Sequence, residues 1–232
     1  MDLSFRLLDW FALIRPEGST EPQALGPLSA KEPVAIPKRL PMMLSRRMSL
    51  GSRYAVECGL ELLERHNVDA IVNASRHAET PRGEKSLIAI AKNESPSPTD
   101  FTMSVHNAAS GILTIHKKLT VPVTSVAAGA NTLEAAFFEA VNFLNDAKET
   151  VLVLSYENLL PEILGERLPA VKETFAVALL LQKGNELKGT SEAIEEFEPE
   201  TSDMLQWIEG VASGSSLFTV RSGARLWTWR KE

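Results

Sequence analysis

The sequence predicts a layered α/β fold with one helix buried at its centre, and three observations carry that prediction. A helical pattern over residues 52–66 runs directly into the short apolar stretch Asp69–Ser75, the helix-then-strand alternation of α/β proteins. Val151–Tyr156 (VLVLSY) and Phe175–Leu181 (FAVALLL) are continuous apolar runs, the pattern of strands covered on both faces. Ahead of them, Leu133, Ala136, Phe137, Ala140, Val141 and Leu144 form an i, i+3, i+4, i+7 stripe that Ala135, Phe138 and Phe143 extend most of the way round. A helix apolar on nearly all sides belongs at the centre of a domain or of an interface.

The remaining elements follow in order. Residues 3–14 carry Leu3, Phe5, Leu7, Leu8, Trp10 and Phe11 and read as a strand or a short helix. Pro16, Pro22, Pro27, Pro33, Pro37 and Pro41 punctuate residues 16–41. Each fixes φ and removes a donor, so an extended segment wrapped over the surface is expected there rather than regular ladders. In the first helix Ala55, Cys58 and Leu62 share one stripe, flanked by Val56, Gly59, Leu60 and Leu63, and Asn67 is the expected C-cap. NESPSPTD, residues 93–100, is a loop by its turn chemistry. Asn131 and Glu134 have the spacing of a capping box at the head of the central helix. Residues 184–203 are acidic and broken by Gly and Pro, as in a surface connection. A short C-terminal extension, residues 201–232, should form a helix around Trp207 and a hairpin, Ser216–Arg221 with Arg225–Arg230, turning at Ser222-Gly223 and placing Trp227 and Trp229 on one face. The whole chain, 1–232, is expected to be one domain.

Composition excludes several function classes. The net charge of -6 argues against nucleic acid as a partner, which needs a basic face. Local basic pairs, Lys38-Arg39, Arg46-Arg47 and Lys117-Lys118, are candidate docking points for an acidic carrier protein. One cysteine, Cys58, rules out an intrachain disulfide and fits a reducing compartment. The opening MDLSFRLLDWFALIR is interrupted by Arg6, Asp9 and Arg15 and has no signal-peptide pattern, and no apolar run reaches the ~20 residues of a membrane span. A soluble, cytoplasmic protein is expected. No pattern of metal ligands or cofactor motif stands out, so neither metal nor cofactor is expected.

The chemistry-bearing stretch is Asn107–Leu133, NAASGILTIHKKLTVPVTSVAAGANTL. Its N-x-x-x-G, apolar segment, L-x-x-P, strand and tight turn resemble the approach to the active site of the β-ketoacyl synthases. The resemblance runs over about Arg39–Leu181 and is strongest over Ser97–Tyr156. It implies one half of a thiolase-type fold. In that family the turn holds a nucleophilic cysteine at a helix N-terminus, whose backbone N–H groups favour the thiolate and the oxyanion. Here the turn reads Ala128-Gly129-Ala130-Asn131, and Ala130 stands in the place of the cysteine. A gapped alignment puts Val126 there, which is equally inert. The family's two catalytic histidines lie beyond this turn, whereas His66, His77, His106 and His116 all precede it.

The resemblance therefore implies a catalytically silent subunit, of the kind called a chain-length factor in type II polyketide and aryl-polyene systems. It implies a heterodimer with an active β-ketoacyl-acyl carrier protein synthase, with acyl carrier protein engaged through that partner. Val123, Thr124, Ser125, Val126 and Ala127 would form the strand that pairs with the partner. Phe101, Met103, Val105, His106 and Asn107 would form the acyl-pocket gate and partner interface, with the first three the candidates for the gate. Two other readings stay open: a stand-alone thioesterase or acyltransferase, for which Ser125 is the candidate nucleophile with Thr132 a second nearby hydroxyl, and a carrier-protein binding module.

Overall fold

A computed structural model of the protein describes residues 2–27, 29–33, 38–161, 164, 172–195 and 202–232. Residues 34–37 of the proline-rich segment and residues 196–201, between the acidic connection and the C-terminal extension, lie outside the described residues.

Strands β1 (Asp2–Pro16), β2 (Gln23–Gly26) and β3 (Ser29–Pro33) come first. Helices α1 (Met42–Ser45) and α2 (Leu50–Leu63) lead into β4 (Ala70–Ala74). Helices α3 (Thr80–Ala91), α4 (Pro98–Thr102) and α5 (Ala108–Lys117) precede β5 (Val123–Val126). A 3-10 turn, Gly129–Asn131, opens into α6 (Thr132–Asn145), followed by β6 (Thr150–Glu157) and the long β7 (Glu173–Ala193). Helix α7 (Asp203–Ala212) and the hairpin β8 (Leu217–Ser222) and β9 (Arg225–Lys231) complete the fold.

The sheet runs β3-β2-β1-β7-β6-β4-β5. Strand β4 is parallel to both β5 and β6, while β7 is antiparallel to β6 and to β1. Strand β7 is long enough to serve two neighbours on one edge: residues 175–182 pair with β6 and residues 187–193 pair with β9. The C-terminal hairpin thus continues the sheet beyond the end of β6.

Alternating side chains divide the core into two layers. On one face Val151, Val153, Phe175, Val177 and Leu179 pack with α6, α7 and the hairpin tryptophans. On the other, Leu152, Leu154, Tyr156, Ala176, Ala178 and Leu180 pack with α2 and α5. Phe5, Phe137, Trp207 and Trp229 form one aromatic cluster, with centroids 5.0–6.5 Å apart. Gly189 makes room for it, because a Cβ there would lie 2.8 Å from the Trp229 ring.

Several expectations need correction. The ambiguous stretch 3–14 is strand: irregularities between Phe5/Arg6 and Leu7/Asp9 shift its phase, so Leu3 and Phe5 share a face with Trp10 and Ala12. That shift breaks the two-residue alternation a sequence reading depends on. The proline-rich segment does hold a ladder, since β2 and β3 pair with each other and β2 pairs with β1. Pro27 falls in the turn and Pro33 at the strand's end, where a missing donor does little harm. Helix α2 ends at Leu63, so Asn67 is not its C-cap. The acidic stretch after residue 184 is largely strand, because β9 supplies the partner that carries β7 on to Ala193. Pro98–Thr102, at the end of the expected loop, forms α4, with the Ser97 side chain capping it.

Candidate functional site: a strand-to-helix elbow and an open sheet edge

The C-terminal ends of the parallel strands β4, β5 and β6 converge where β5 turns into α6. This elbow is wound tightly. Gly129 takes φ +57, in the left-handed region that glycine enters without a side-chain clash. The expected capping box is absent, because Asn131 makes no side-chain cap. The Thr132 hydroxyl ties the turn together instead: it accepts from the Ala128 N–H at 3.1 Å and donates to the Gly129 carbonyl at 2.8 Å. Glu134 accepts instead from the Trp227 indole N–H at 3.0 Å. Ala130 sits within the 3-10 turn, half-buried, and offers a methyl group.

The C-terminal extension fastens this elbow. Ser222 Oγ lies 2.9 Å from the Ala130 carbonyl oxygen and 2.9 Å from Asp203 Oδ2. Asp203 Oδ1 accepts from the Met204 N–H at 2.8 Å, and Oδ2 accepts from the Leu133 N–H at a longer 3.4 Å. One carboxylate therefore touches the first turns of both α6 and α7. Burial raises the Asp203 carboxyl to about 6, against the pull of these donors and of Arg76. Glu157, at the end of β6, accepts from the Arg76 N–H, from the His77 N–H at 3.0 Å and from Ser75 Oγ at 3.1 Å. Its burial, with a smaller contribution from Asp203, raises its carboxyl to about 7. His77 is held down at about 4, by burial first and then by Arg76 and His106.

Beside the elbow lies the outer edge of the described sheet. Ile71 N–H donates to the Pro122 carbonyl and Ser75 N–H to the Val126 carbonyl, so Pro122, Thr124 and Val126 bond inward to β4. The backbone groups of Val123, Ser125 and Ala127 then point outward. A groove of about 480 Å³ runs along this edge, lined by His106, Asn107, Ser110, Gly111, Thr114, Val123 and Ser125. Phe101 is 72% exposed and Val105 48%. Leu87, Ile88 and Ile90 of α3 are also exposed, and α3 buries none of its residues. The whole flank from α3 to β5 is thus unusually apolar for a surface.

The structure brings His106, Asn107, Val123 and Ser125 together in one groove and leaves Phe101 and Val105 on the adjoining surface. Met103 differs: it is buried in the core beneath α2 and α5, so it supports that surface from behind. His106 Nε2 lies 3.2 Å from the Ser75 carbonyl, and Asn73 donates to the His106 carbonyl at 2.7 Å. Among the described residues no hydrogen bond joins Ser125 Oγ to a histidine, so no activated serine is assembled. Of the basic pairs, Arg39 is consumed by Glu57, Glu61 and Glu64. Arg46, Arg47, Lys117 and Lys118 are exposed. Cys58 is fully buried, with its thiol 3.6 Å from the Ala176 carbonyl. Among the described residues no cluster of three or more metal-ligating side chains occurs, and no helix is long and apolar enough to cross a membrane. Sequence reasoning missed Asp203, Ser222, Glu157 and Arg76, whose partners lie 70–92 positions away for Asp203 and Ser222.

Comparison with known proteins fits this geometry. The sequence matches no curated protein significantly. The family described as beta-ketoacyl synthase, N-terminal domain, matches residues 19–230, well beyond the stretch in which its motifs are evident by eye. Among solved structures, the chain resembles one from the complex of a ketosynthase (ApeO) with its chain length factor (ApeC) from Xenorhabdus doucetiae. That match has 35% identity and a TM-score of 0.87, and covers 99% of this chain and 100% of the other. The ishigamide ketosynthase/chain length factor shares the fold at 16% identity and a TM-score of 0.62, over 83% of this chain and 68% of the other. A beta-ketoacyl synthase from Burkholderia phymatum STM815 does so at 11% identity and 0.59, over 82% and 64%. The fold is thiolase-like, with a mixed sheet between helical layers, and the chain belongs to the family of β-ketoacyl synthase N-terminal domains.

Proposed function

We propose that this chain is the non-catalytic subunit of a ketosynthase pair, a chain-length factor that stabilises an active β-ketoacyl-acyl carrier protein synthase and shapes its acyl pocket. The observation that carries the reading is the elbow. A tight strand-to-helix turn is present, and the ungapped alignment with the family sets the methyl group of Ala130 in the place of the cysteine sulfur. An alanine side chain has no atom able to attack a thioester.

The match to a chain from a ketosynthase–chain length factor complex supports the same reading. That chain and this one cover each other almost end to end, so it too is about the length of a single thiolase half. The open edge of β5 supports it as well. An exposed edge strand beside apolar side chains is an aggregation hazard unless a partner covers it, and obligate interfaces bury about 2,000–5,000 Å². Phe101 and Val105 are exposed on the same flank, with His106 and Asn107 in the adjoining groove and Met103 buried behind, which supports reading them as the side chains that reach a partner's pocket. In a filled pocket one added methylene costs about 1–3 kcal/mol, so their bulk would set where chain growth stops. Acyl carrier protein would be engaged through the synthase, in carrier-bound elongation of a polyketide or fatty-acid type, aryl polyenes included, in the cytoplasm. One domain over 1–232 is the corresponding organisation.

Co-expression tests the association. Expressed with a full-length ketosynthase encoded beside it, the chain should co-purify as a 1:1 heterodimer and gain solubility. A stable monomer that ignores every such synthase would overturn the reading and favour a free-standing carrier-binding module.

A further inference from the structure

We propose that the first turn of α6, where an active ketosynthase concentrates negative charge, is already occupied in this chain by its own carboxylate, Asp203, so that restoring a thiol at position 130 would not restore an activated nucleophile. The inference rests on the reading of Ala130 as the vacated nucleophile position and adds a second, independent reason for silence.

Three features of the elbow support it. Asp203 is in the first turn of α7, and its carboxylate reaches across to the Leu133 N–H in the first turn of α6, at 3.4 Å. The Ser222 hydroxyl bridges the same oxygen, Oδ2, to the carbonyl of residue 130, at 2.9 Å on each side. The carboxylate is therefore separated from the backbone of the residue that would carry the thiol by a single hydroxyl oxygen. With its carboxyl raised by burial only to about 6, Asp203 is mostly ionised in the range where thiols titrate.

Two further acids and one cation surround it. Glu134, also in the first turn of α6, points its carboxylate at the Trp227 indole. Glu157, close enough to Asp203 to repel it, is a third acid from β6. Arg76 is the cation acting on Asp203 and on His77. A helix N-terminus lowers a thiol's pKa because its N–H dipoles face an unneutralised site. Fixed carboxylates at that turn reverse the sign, since a like charge disfavours a second anion. The arrangement turns a charge-stabilising elbow into a structural clasp that holds α7 and the hairpin.

The test uses the full-length chain carrying Ala130→Cys. Cys58 is fully buried and gives no background. Alkylation by iodoacetamide is followed as a function of pH. The expected midpoint is at or above about 8.5, the value of a free thiol. Adding Asp203→Asn should lower it by about one unit or more, a roughly tenfold rise in thiolate at neutral pH. A midpoint below about 7.5 in Ala130→Cys alone overturns the proposal. So does an unchanged midpoint in a double variant that keeps its melting temperature. Should the double variant fail to fold, the midpoint of the single variant decides. Failure of the broader reading looks different: the wild-type chain, which has no thiol at 130, would itself become acylated by an acyl thioester.

Discussion

The hydroxyl of Ser222 lies 2.9 Å from the carbonyl oxygen of Ala130, joining the end of strand β8 to an elbow 92 residues earlier in the chain. Ser222 is fully buried, so this contact has no competing water. Ser222→Ala would remove the one hydroxyl proton that the Ala130 carbonyl and the Asp203 carboxyl share. The expected cost is about 1–3 kcal/mol, read as a fall of several degrees in melting temperature. A melting temperature equal to wild type would show that the clasp contributes nothing.

Stability should depend on pH in a defined direction. The carboxyls of Asp203 and Glu157 titrate near 6 and near 7 in the folded chain, above ordinary carboxylates. The folded state then holds protons the unfolded state has released, so their contribution is full below about pH 4 and is lost as pH rises through 6 and 7. His77, lowered to about 4, acts in the opposite sense, costing stability as pH falls below its ordinary 6.5. Two groups outweigh one, and the net trend from about pH 4.5 to 7 is downward. Glu157→Gln isolates one contribution. Its melting temperature should trail wild type most at about pH 5 and least at about pH 8, whereas a gap constant with pH contradicts the assignment.

The aromatic cluster makes the C-terminal hairpin part of the core. Trp229 is 1% exposed and meets Phe5, Phe137 and Trp207. Trp229→Ala should cost about 3–5 kcal/mol, measured by denaturant unfolding. Deletion of residues 202–232 should leave an insoluble chain, since it uncovers one face of α6 and one edge of β7. A soluble, cooperatively folding truncation would show that the extension is an accessory.

Association and folding should separate at the sheet edge. The backbone N–H of Ser125 points away from β4, so Ser125→Pro removes an outward donor without cutting the inner ladder. The expected outcome is loss of co-purification with the ketosynthase and a modest drop in melting temperature. Retained binding would place the interface elsewhere.

Much of this architecture was legible in the sequence because it rests on local periodicity. The continuous apolar runs of β6 and the first half of β7, the stripe of α6 and the paired tryptophans of β9 all declare themselves within a dozen residues. What stayed hidden depends on partners far away in the chain. The second half of β7 looks like an acidic loop until β9 pairs with it. Helix α3 gave no clear signal, and it buries none of its residues. The capping box at Asn131 and Glu134 had the right spacing, but Glu134 accepts from Trp227 and Asn131 makes no side-chain cap. At the site, the turn at Ala130 and the groove residues His106, Asn107, Val123 and Ser125 fall within one contiguous stretch of sequence. Asp203 could not, since a first-turn acid is ordinary until the fold sets it against a second helix.

In the proposed role, this chain shapes a synthase without performing its chemistry. The direct measurement is intact-mass analysis of both subunits after the heterodimer is incubated with acyl carrier protein bearing a thioester-linked acyl chain. An acyl adduct on the ketosynthase alone, with this chain at its unmodified mass, is the predicted result. An adduct on this chain, formed with or without the synthase present, would contradict the account.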